Sequence, residues 1–223
     1  MMRITSGIFE RRTVLGESVG SWTRQPSVVA SVNWDAPMVE EGITFNDPEY
    51  DALVVNFSER KDRVSTGKSW MQTHTVAVIP GAPRNSVVAL LIDQGKKRER
   101  EPLSIDSELS LQQNGDLPSE WADHIAIMRK EPIPGSKWSS DEKAVDDLSK
   151  FNREFHVDYG IPTSTEAIVA LAWSYLNRGV WDHPVGTQII CNDNLAASRS
   201  APNALSISPL KDSEAMIYPV MRG

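Results

Sequence analysis

The fold is decided by the stretch from Ser139 to Gly179, which reads SSDEKAVDDLSKFNREFHVDYGIPTSTEAIVALAWSYLNRG. Twice in this stretch a hydroxyl residue is followed three residues later by a glutamate, as Ser139 with Glu142 and as Thr163 with Glu166. At this spacing the two side chains cap the free N–H groups at the start of a helix reciprocally. The stretch therefore predicts two helices joined by a tight turn.

The second of these helices carries an apolar surface that spans well over half of its circumference. Gly179 suits the left-handed conformation that ends a helix. So wide an apolar surface predicts burial on most sides, either in the core of the chain or at a contact between subunits. The apolar residues are Ile168, Val169, Leu171, Ala172, Trp173, Tyr175 and Leu176.

The clearest strand signals lie before the two helices. Residues 75–79 and 86–92 are nearly continuous apolar runs separated by a loop rich in proline and glycine. We predict that they form an antiparallel hairpin at the centre of a sheet covered on both faces. Asp116 could cap a helix in which Trp121, Ile125 and Met128 share a face, and a strand over residues 125–128 is the competing interpretation. Further strands are predicted at residues 4–9, 28–32, 52–57, 103–111, 186–191, 204–207 and 216–220.

The order of these elements predicts an α+β fold. Strands are concentrated before residue 112 and after residue 185, so a mostly antiparallel sheet of N- and C-terminal strands should carry the helical pair of about 139–179. Outside its first strand, the segment 1–26 is expected to be an irregular arm, and 192–203 a polar loop. A chain of 223 residues is expected to form a single domain, 1–223.

A proline-rich linker at about 131–137 is the one place where an internal boundary is predicted. It would separate a β-rich part, 1–130, from the helical pair and C-terminal strands, 138–223. This is a boundary between subdomains of one domain.

Composition narrows the classes of function. Thirty acidic against 23 basic residues give a net charge of −7, which disfavours general binding to nucleic acid or anionic membranes. The single cysteine, Cys191, excludes an internal disulfide framework. With no apolar leader and no long apolar run, we expect a soluble, cytoplasmic protein without a membrane span.

Several polar residues are candidates for catalysis, but none completes a catalytic pattern. His156 and Asp158, with Asp182 and His183, flank the two helices and could form a hydrolase site, with or without a divalent metal. Cys191 could serve as a nucleophile with His183 as its base, but it follows two isoleucines and is expected to be buried. Because no pattern is complete, we expect no cofactor and no metal, and enzymatic activity is disfavoured.

A basic cluster suggests a different class of function. Lys96, Lys97, Arg98 and Arg100 could follow a phosphate backbone. Acidic neighbours, among them Glu99 and Glu101, cancel much of this charge. A role in binding nucleic acid therefore remains the second alternative, after the hydrolase.

The leading hypothesis is a non-catalytic structural or interaction subunit that packs against copies of itself or another protein, as in an assembly or virion component. Seven tryptophans exceed the five phenylalanines and the four tyrosines. Tryptophan is enriched at contacts between proteins, although these rings would also fill a core. The predicted contact residues are Ile168, Leu171, Trp173, Leu176 and Trp181.

Overall fold

The structure, a computed structural model, describes residues 60–79, 84–97, 103–107, 124–210 and 214–222, and the backbone of four earlier strands. The described helices are α1 (Trp70–Thr73), α2 (Arg84–Lys97), α3 (Asp141–Phe155) and α4 (Ser164–Arg178). The first six strands are β1 (Ile8–Val14), β2 (Glu17–Thr23), β3 (Met38–Val39), β4 (Gly42–Ile43), β5 (His74–Ile79) and β6 (Ser104–Ser107). The remaining strands are β7 (His124–Arg129), β8 (Gln188–Ile190), β9 (Leu195–Ala201), β10 (Ala204–Pro209) and β11 (Val220–Arg222).

The described strands form two sheets and two separate two-stranded ribbons. One sheet has the order β11-β7-β5 and is antiparallel throughout. The other has the order β6-β10-β9-β8, in which only the β6–β10 pair is parallel. The ribbons are β1 with β2 and β3 with β4. The predicted α+β class with mostly antiparallel strands is confirmed.

Helix α4 lies between the two sheets and forms the centre of the core. It contacts β5 and β7 of one sheet, β9 and β10 of the other, and helix α2. Every residue from Ser164 to Leu176 is buried. Such a helix needs apolar side chains on nearly all sides, which explains the width of its apolar surface. Of the predicted contact residues, Ile168, Leu171, Trp173 and Leu176 are all placed inside this core.

Both ends of α4 are as the sequence predicts. The Thr163 hydroxyl oxygen accepts a hydrogen bond from the backbone N–H of Glu166 at 3.1 Å, and the Glu166 carboxylate accepts one from the N–H of Thr163 at 2.7 Å. Gly179 ends the helix with φ +74°, in the left-handed region that favours glycine.

Helix α3 is confirmed as a helix, but its predicted start is wrong by one residue. The capping residue is Ser140, whose hydroxyl oxygen accepts from the N–H of Lys143 at 3.2 Å. Because Lys143 then occupies the position where Glu142 was expected, the predicted pair of Ser139 and Glu142 does not form. Helix α3 buries Ala144 and Phe151 in a second, smaller apolar cluster.

The predicted hairpin at residues 75–79 and 86–92 is wrong in its second arm. The first arm is β5, but residues 86–92 belong to helix α2, and β5 pairs with β7 instead. A short apolar run is compatible with a buried helix as well as with a strand. Val87 and Leu91, four residues apart, are both buried, and α2 packs against α4.

Two segments that were expected to be irregular contain strands. Within 192–203, β9 pairs with both β8 and β10, although its sequence LAASRSA is dominated by small and polar residues. Within 1–26, β1 and β2 form an antiparallel ribbon in which Phe9 is paired with Trp22. The strand alternative for residues 125–128 is confirmed as β7.

The other strand predictions have mixed outcomes. Residues 186–191 and 204–207 contain β8 and β10, and part of 103–111 is β6. The last strand was predicted at 216–220 but overlaps β11 (Val220–Arg222) only at Val220, and residues 217–219 are not in a strand. The strands predicted at 28–32 and 52–57 lie outside the described residues. Within the described part of the chain, no helix combines the length and apolar character needed to cross a bilayer.

Candidate functional site: the loop between α4 and β8

The α4–β8 loop, residues 179–187, holds two of the three large apolar side chains that are strongly exposed among the described residues, and its Trp181 stacks on Tyr175. Val180 is 60% exposed and Val185 is 48% exposed, and Pro184 and Gly186 are exposed as well. Large apolar residues seldom remain at this level of exposure in clusters unless they serve a contact. The loop is therefore the candidate site, and its geometry follows from four supporting contacts.

The first support holds Trp181 from both sides. Its ring stacks on that of Tyr175, with centroids 4.5 Å apart and an interplanar angle of 13°. On the other side lies the guanidinium group of Arg199, whose central carbon is 4.3 Å from the Trp181 ring centroid. A cation over an indole face is attracted to the ring quadrupole. Trp181 is thus fixed in place while remaining partly exposed.

The second support positions Arg199 itself. This residue comes from β9, and its side chain donates hydrogen bonds to the carbonyl oxygens of His183 at 2.5 Å and Pro202 at 3.0 Å. Two backbone acceptors therefore set the orientation of the guanidinium group over the indole. Because one acceptor belongs to the loop, Arg199 links the loop to the four-stranded sheet.

Asp182 provides the third support, through its carboxylate. The hydroxyl of Thr75 donates to it at 3.1 Å, Arg178 at 2.8 Å, and the Lys130 ammonium lies at 3.3 Å. Burial raises the pKa of Asp182, but Lys130 and Arg178 outweigh this effect and hold the pKa below its usual value. The carboxylate joins the loop to β5 and to the residue after β7.

The fourth support is the buried ring of His183. It meets the ring of Tyr218 edge to face, with centroids 5.6 Å apart. Burial lowers the pKa of His183 to about 4, so the ring is neutral at pH 7. The backbone of Arg129 lies close enough to favour the charged ring electrostatically, but neither ring nitrogen makes a hydrogen bond of normal geometry. The ring therefore acts mainly by packing.

A second polar cluster surrounds the start of α4. The carboxylate of Glu166 is buried and accepts hydrogen bonds from Arg222 at 2.6 and 2.8 Å and from His124 at 3.0 Å. Burial raises the pKa of Glu166, but the His124 and Arg222 hydrogen bonds outweigh it and lower the pKa to about 2. This cluster fastens β7 and the C-terminal strand β11 to the central helix.

Next to Glu166, a hydroxyl group links α2, α4 and the β8–β9 turn. Ser164 donates to the Asp193 carboxylate at 2.5 Å and accepts from Arg84 at 3.1 Å. Arg84 and Asp193 also lie 3.7 Å apart and compensate each other's charge. With both charges balanced, the cluster has the character of a structural junction at the first turns of two helices.

A third polar network is buried beside β5. Arg129 donates to both carboxylate oxygens of Asp62 at 3.0 and 3.2 Å. The His74 ring lies between the hydroxyl of Tyr159 at 2.7 Å and the carbonyl of Trp70 at 3.1 Å. Burial lowers the pKa of His74 to about 4, and the nearby Arg129 adds to this effect. The pattern fits a neutral ring that carries its proton on Nδ1.

The residues predicted for a hydrolase site have separate surroundings. His156 is an exposed helix cap of α3 with φ +53°, and Asp158 is exposed two residues later. Asp182 and His183 support the α4–β8 loop as described above. In the described ranges, no three His, Cys, Asp or Glu side chains are arranged to hold a metal ion.

Cys191, the other predicted catalytic residue, is buried among apolar side chains. Its thiol donates to the carbonyl of Ile189 at 3.5 Å. Burial raises the pKa of Cys191 well above its usual value, which disfavours the thiolate needed for attack.

The predicted nucleic-acid residues are described only in part. Lys96 and Lys97 are exposed at the end of α2, where the helix dipole favours cations. Lys97 pairs with Asp93 at 3.0 Å. Arg98 and Arg100 lie outside the described residues.

Sequence reasoning identified Trp181, Asp182 and His183 but missed what holds them. Arg199 is distant from Trp181 in sequence, and Arg222 and His124 lie 56 and 42 residues from Glu166. Pairs this far apart in the sequence leave no short-range pattern of residues that would predict them. The only available signal was the Thr163–Glu166 capping pattern, which marked Glu166 as a residue at a helix start.

The chain matches no protein-family model, no curated protein and no solved structure.

Proposed function

We propose that this chain is a non-catalytic structural or interaction subunit that associates with copies of itself or with another protein through the α4–β8 loop. The observation that carries the proposal is the exposure of Val180 and Val185 in the same short loop as the fixed Trp181. Burial of apolar surface drives most protein association, and tryptophan, tyrosine and arginine dominate binding energies.

The loop is also preorganised for contact. Asp182 and Arg199 fasten it to both sheets, so association would require little additional ordering. A surface that is already ordered loses less conformational entropy when it binds, and this favours affinity. In these contacts Asp182 and His183 stabilise the loop. Nothing in the described residues favours the hydrolase or the nucleic-acid alternative.

The amino-terminal ribbon gives separate support. Among the described strands, β1 and β2 pair only with each other. A two-stranded ribbon is marginally stable by itself in water, so its burial against another surface would stabilise it. This fits a chain whose amino-terminal segment contacts a partner.

The proposal is tested by sedimentation velocity over a concentration series of the purified chain. We expect the wild type to associate and the V180D/V185D double variant to sediment as a monomer. The matched control is T66D, which adds a charge at an exposed turn and should behave as the wild type does. A wild type that is strictly monomeric at high micromolar concentration and indistinguishable from the double variant counts against the proposal.

A further inference from the structure

Besides the two valines of the α4–β8 loop, one other large apolar side chain is strongly exposed among the described residues. Val145, on helix α3, is 58% exposed. On a helix, residues three and four positions apart are neighbours on the surface, so Val145 is bordered by Asp141 and Glu142. The ion pairs of this helix are Lys143 with Asp147 and Lys150 with Asp146. Asp141 and Glu142 take part in neither, and both are exposed.

The two apolar surfaces carry opposite charge. Beside the α4–β8 loop, the three cations Arg178, Lys130 and Arg199 are accompanied by the single carboxylate of Asp182, which leaves two positive charges in excess. Beside Val145, Asp141 and Glu142 leave two negative charges in excess. Each surface is therefore complementary to the other and repelled by a copy of itself.

We infer that the α4–β8 loop of one copy of this chain docks on the Val145 surface of α3 in a second copy. This inference rests on the proposed function and names the partner as a second copy. The contact is heterologous, because two different surfaces meet. A pair of bound copies then retains one unused loop and one unused α3 surface, so association continues to larger species until it closes into a ring or extends as a filament.

The test uses two variants that each block one surface. V180D/V185D blocks the loop, and V145K blocks the α3 surface while cancelling part of its negative charge. Each variant alone should associate at least about tenfold more weakly than the wild type, since a charge at the centre of a contact costs 1.4 kcal/mol or more. An equimolar mixture should form a 1:1 dimer and no larger species, because each variant still carries the surface that the other lacks.

E154K is the matched control, because it places a lysine at an exposed position of α3 away from Val145. It should associate as the wild type does. Circular dichroism and the urea unfolding midpoint of each variant verify that the chain is folded. A further variant, E142K, removes the negative charge of Glu142 beside Val145 while keeping the valine, and it should also weaken association.

Three outcomes would overturn the inference, and they differ in what they mean for the proposed function. If V145K and E142K associate as strongly as the wild type while V180D/V185D is monomeric, the docking surface is wrong and the proposed function stands. If the wild type itself is monomeric at high micromolar concentration, the inference is wrong, and of the proposed function only association with another protein is left. A mixture of folded variants that yields no dimer also contradicts a heterologous contact.

Discussion

The guanidinium group of Arg199 lies 4.3 Å from the centre of the Trp181 ring and donates a hydrogen bond to the carbonyl oxygen of His183, two residues along the same loop. One side chain thus fixes both the aromatic ring and the backbone of the α4–β8 loop. Because Arg199 belongs to β9, the position of the loop depends on the four-stranded sheet. Together with the Asp182 contacts, this link holds the exposed valines in place.

Replacing Arg199 by alanine should lower the free energy of unfolding by about 2 kcal/mol, since it removes a cation–π contact and two charged hydrogen bonds. Urea titration followed by tryptophan fluorescence measures the change. The matched control is R178A, which removes an exposed ion pair and should cost less than about 1 kcal/mol. Equal losses in the two variants would contradict the role given to Arg199.

Breaking the Asp62–Arg129 pair should be among the most damaging polar changes. Both side chains are buried, so D62A leaves an uncompensated guanidinium group and should cost about 3 to 5 kcal/mol. The double variant D62A/R129M removes both charges and should recover a large part of that loss. If adding R129M to D62A lowers the free energy of unfolding further instead of restoring part of it, the two side chains are not coupled as described.

Stability should fall as the pH drops from about 6.5 to about 4. His74 and His183 have folded pKa values near 4 and an ordinary value of 6.5 when unfolded. The unfolded chain therefore binds more protons in this range, and each histidine removes up to about 3 kcal/mol. The stabilisation is fully present above pH 6.5. Unfolding free energies measured at closely spaced pH values should fall with a slope of nearly two protons at pH 5.

Leucine substitutions separate the contributions of His74 and His183 to the pH dependence of stability. H183L should remove about half of this pH dependence at little cost at neutral pH, because the His183 nitrogens make no hydrogen bond of normal geometry. H74L should also reduce the slope, but it removes the hydrogen bond between His74 and the buried Tyr159 hydroxyl and costs about 1 to 3 kcal/mol. An unchanged slope in both variants would show that other groups control the acid response.

Below pH 4.5 a further loss is expected from Glu166. Its folded pKa is about 2 against an ordinary 4.5, so its contribution of about 3 kcal/mol is present above pH 4.5 and is lost as the pH falls towards 2. E166Q should lower the stability at pH 7 and flatten the curve below pH 4.5. The same curve in the wild type and E166Q would argue against a charged Glu166 in the folded state.

The thiol of Cys191 should resist alkylation in the folded protein. The residue is buried and its pKa is raised, so labelling by iodoacetamide should require unfolding. The labelling rate should rise with urea in parallel with the unfolded fraction. Rapid labelling without urea would instead revive the hypothesis of a reactive cysteine.

Local signals in the sequence predicted the central helix well. The Thr163–Glu166 pair and Gly179 act within one turn of the chain, so α4 has both predicted ends. The helix α2 was mistaken for a strand because its apolar run of residues 86–92 suits both structures. What decides between them is packing against α4, which a single sequence does not reveal.

The candidate site was predicted only in its local part. Trp181 was identified as a contact residue, and Asp182 and His183 were identified as polar neighbours in a turn. Their partners Arg199, Lys130 and Tyr218 come from elements far away in sequence, so the spacing of residues carries no trace of them. The other predicted contact residues, such as Leu171, share their apolar character with core residues, and the core is where they lie.

The central claim, that this chain works by contact through the α4–β8 loop, is tested most directly by hydrogen–deuterium exchange at several protein concentrations. The account predicts that backbone amides of residues 180–186 exchange more slowly as concentration rises, while those of the exposed turn at 66–68 do not change. Exchange in the loop that is independent of concentration up to the high micromolar range would contradict self-association through this surface.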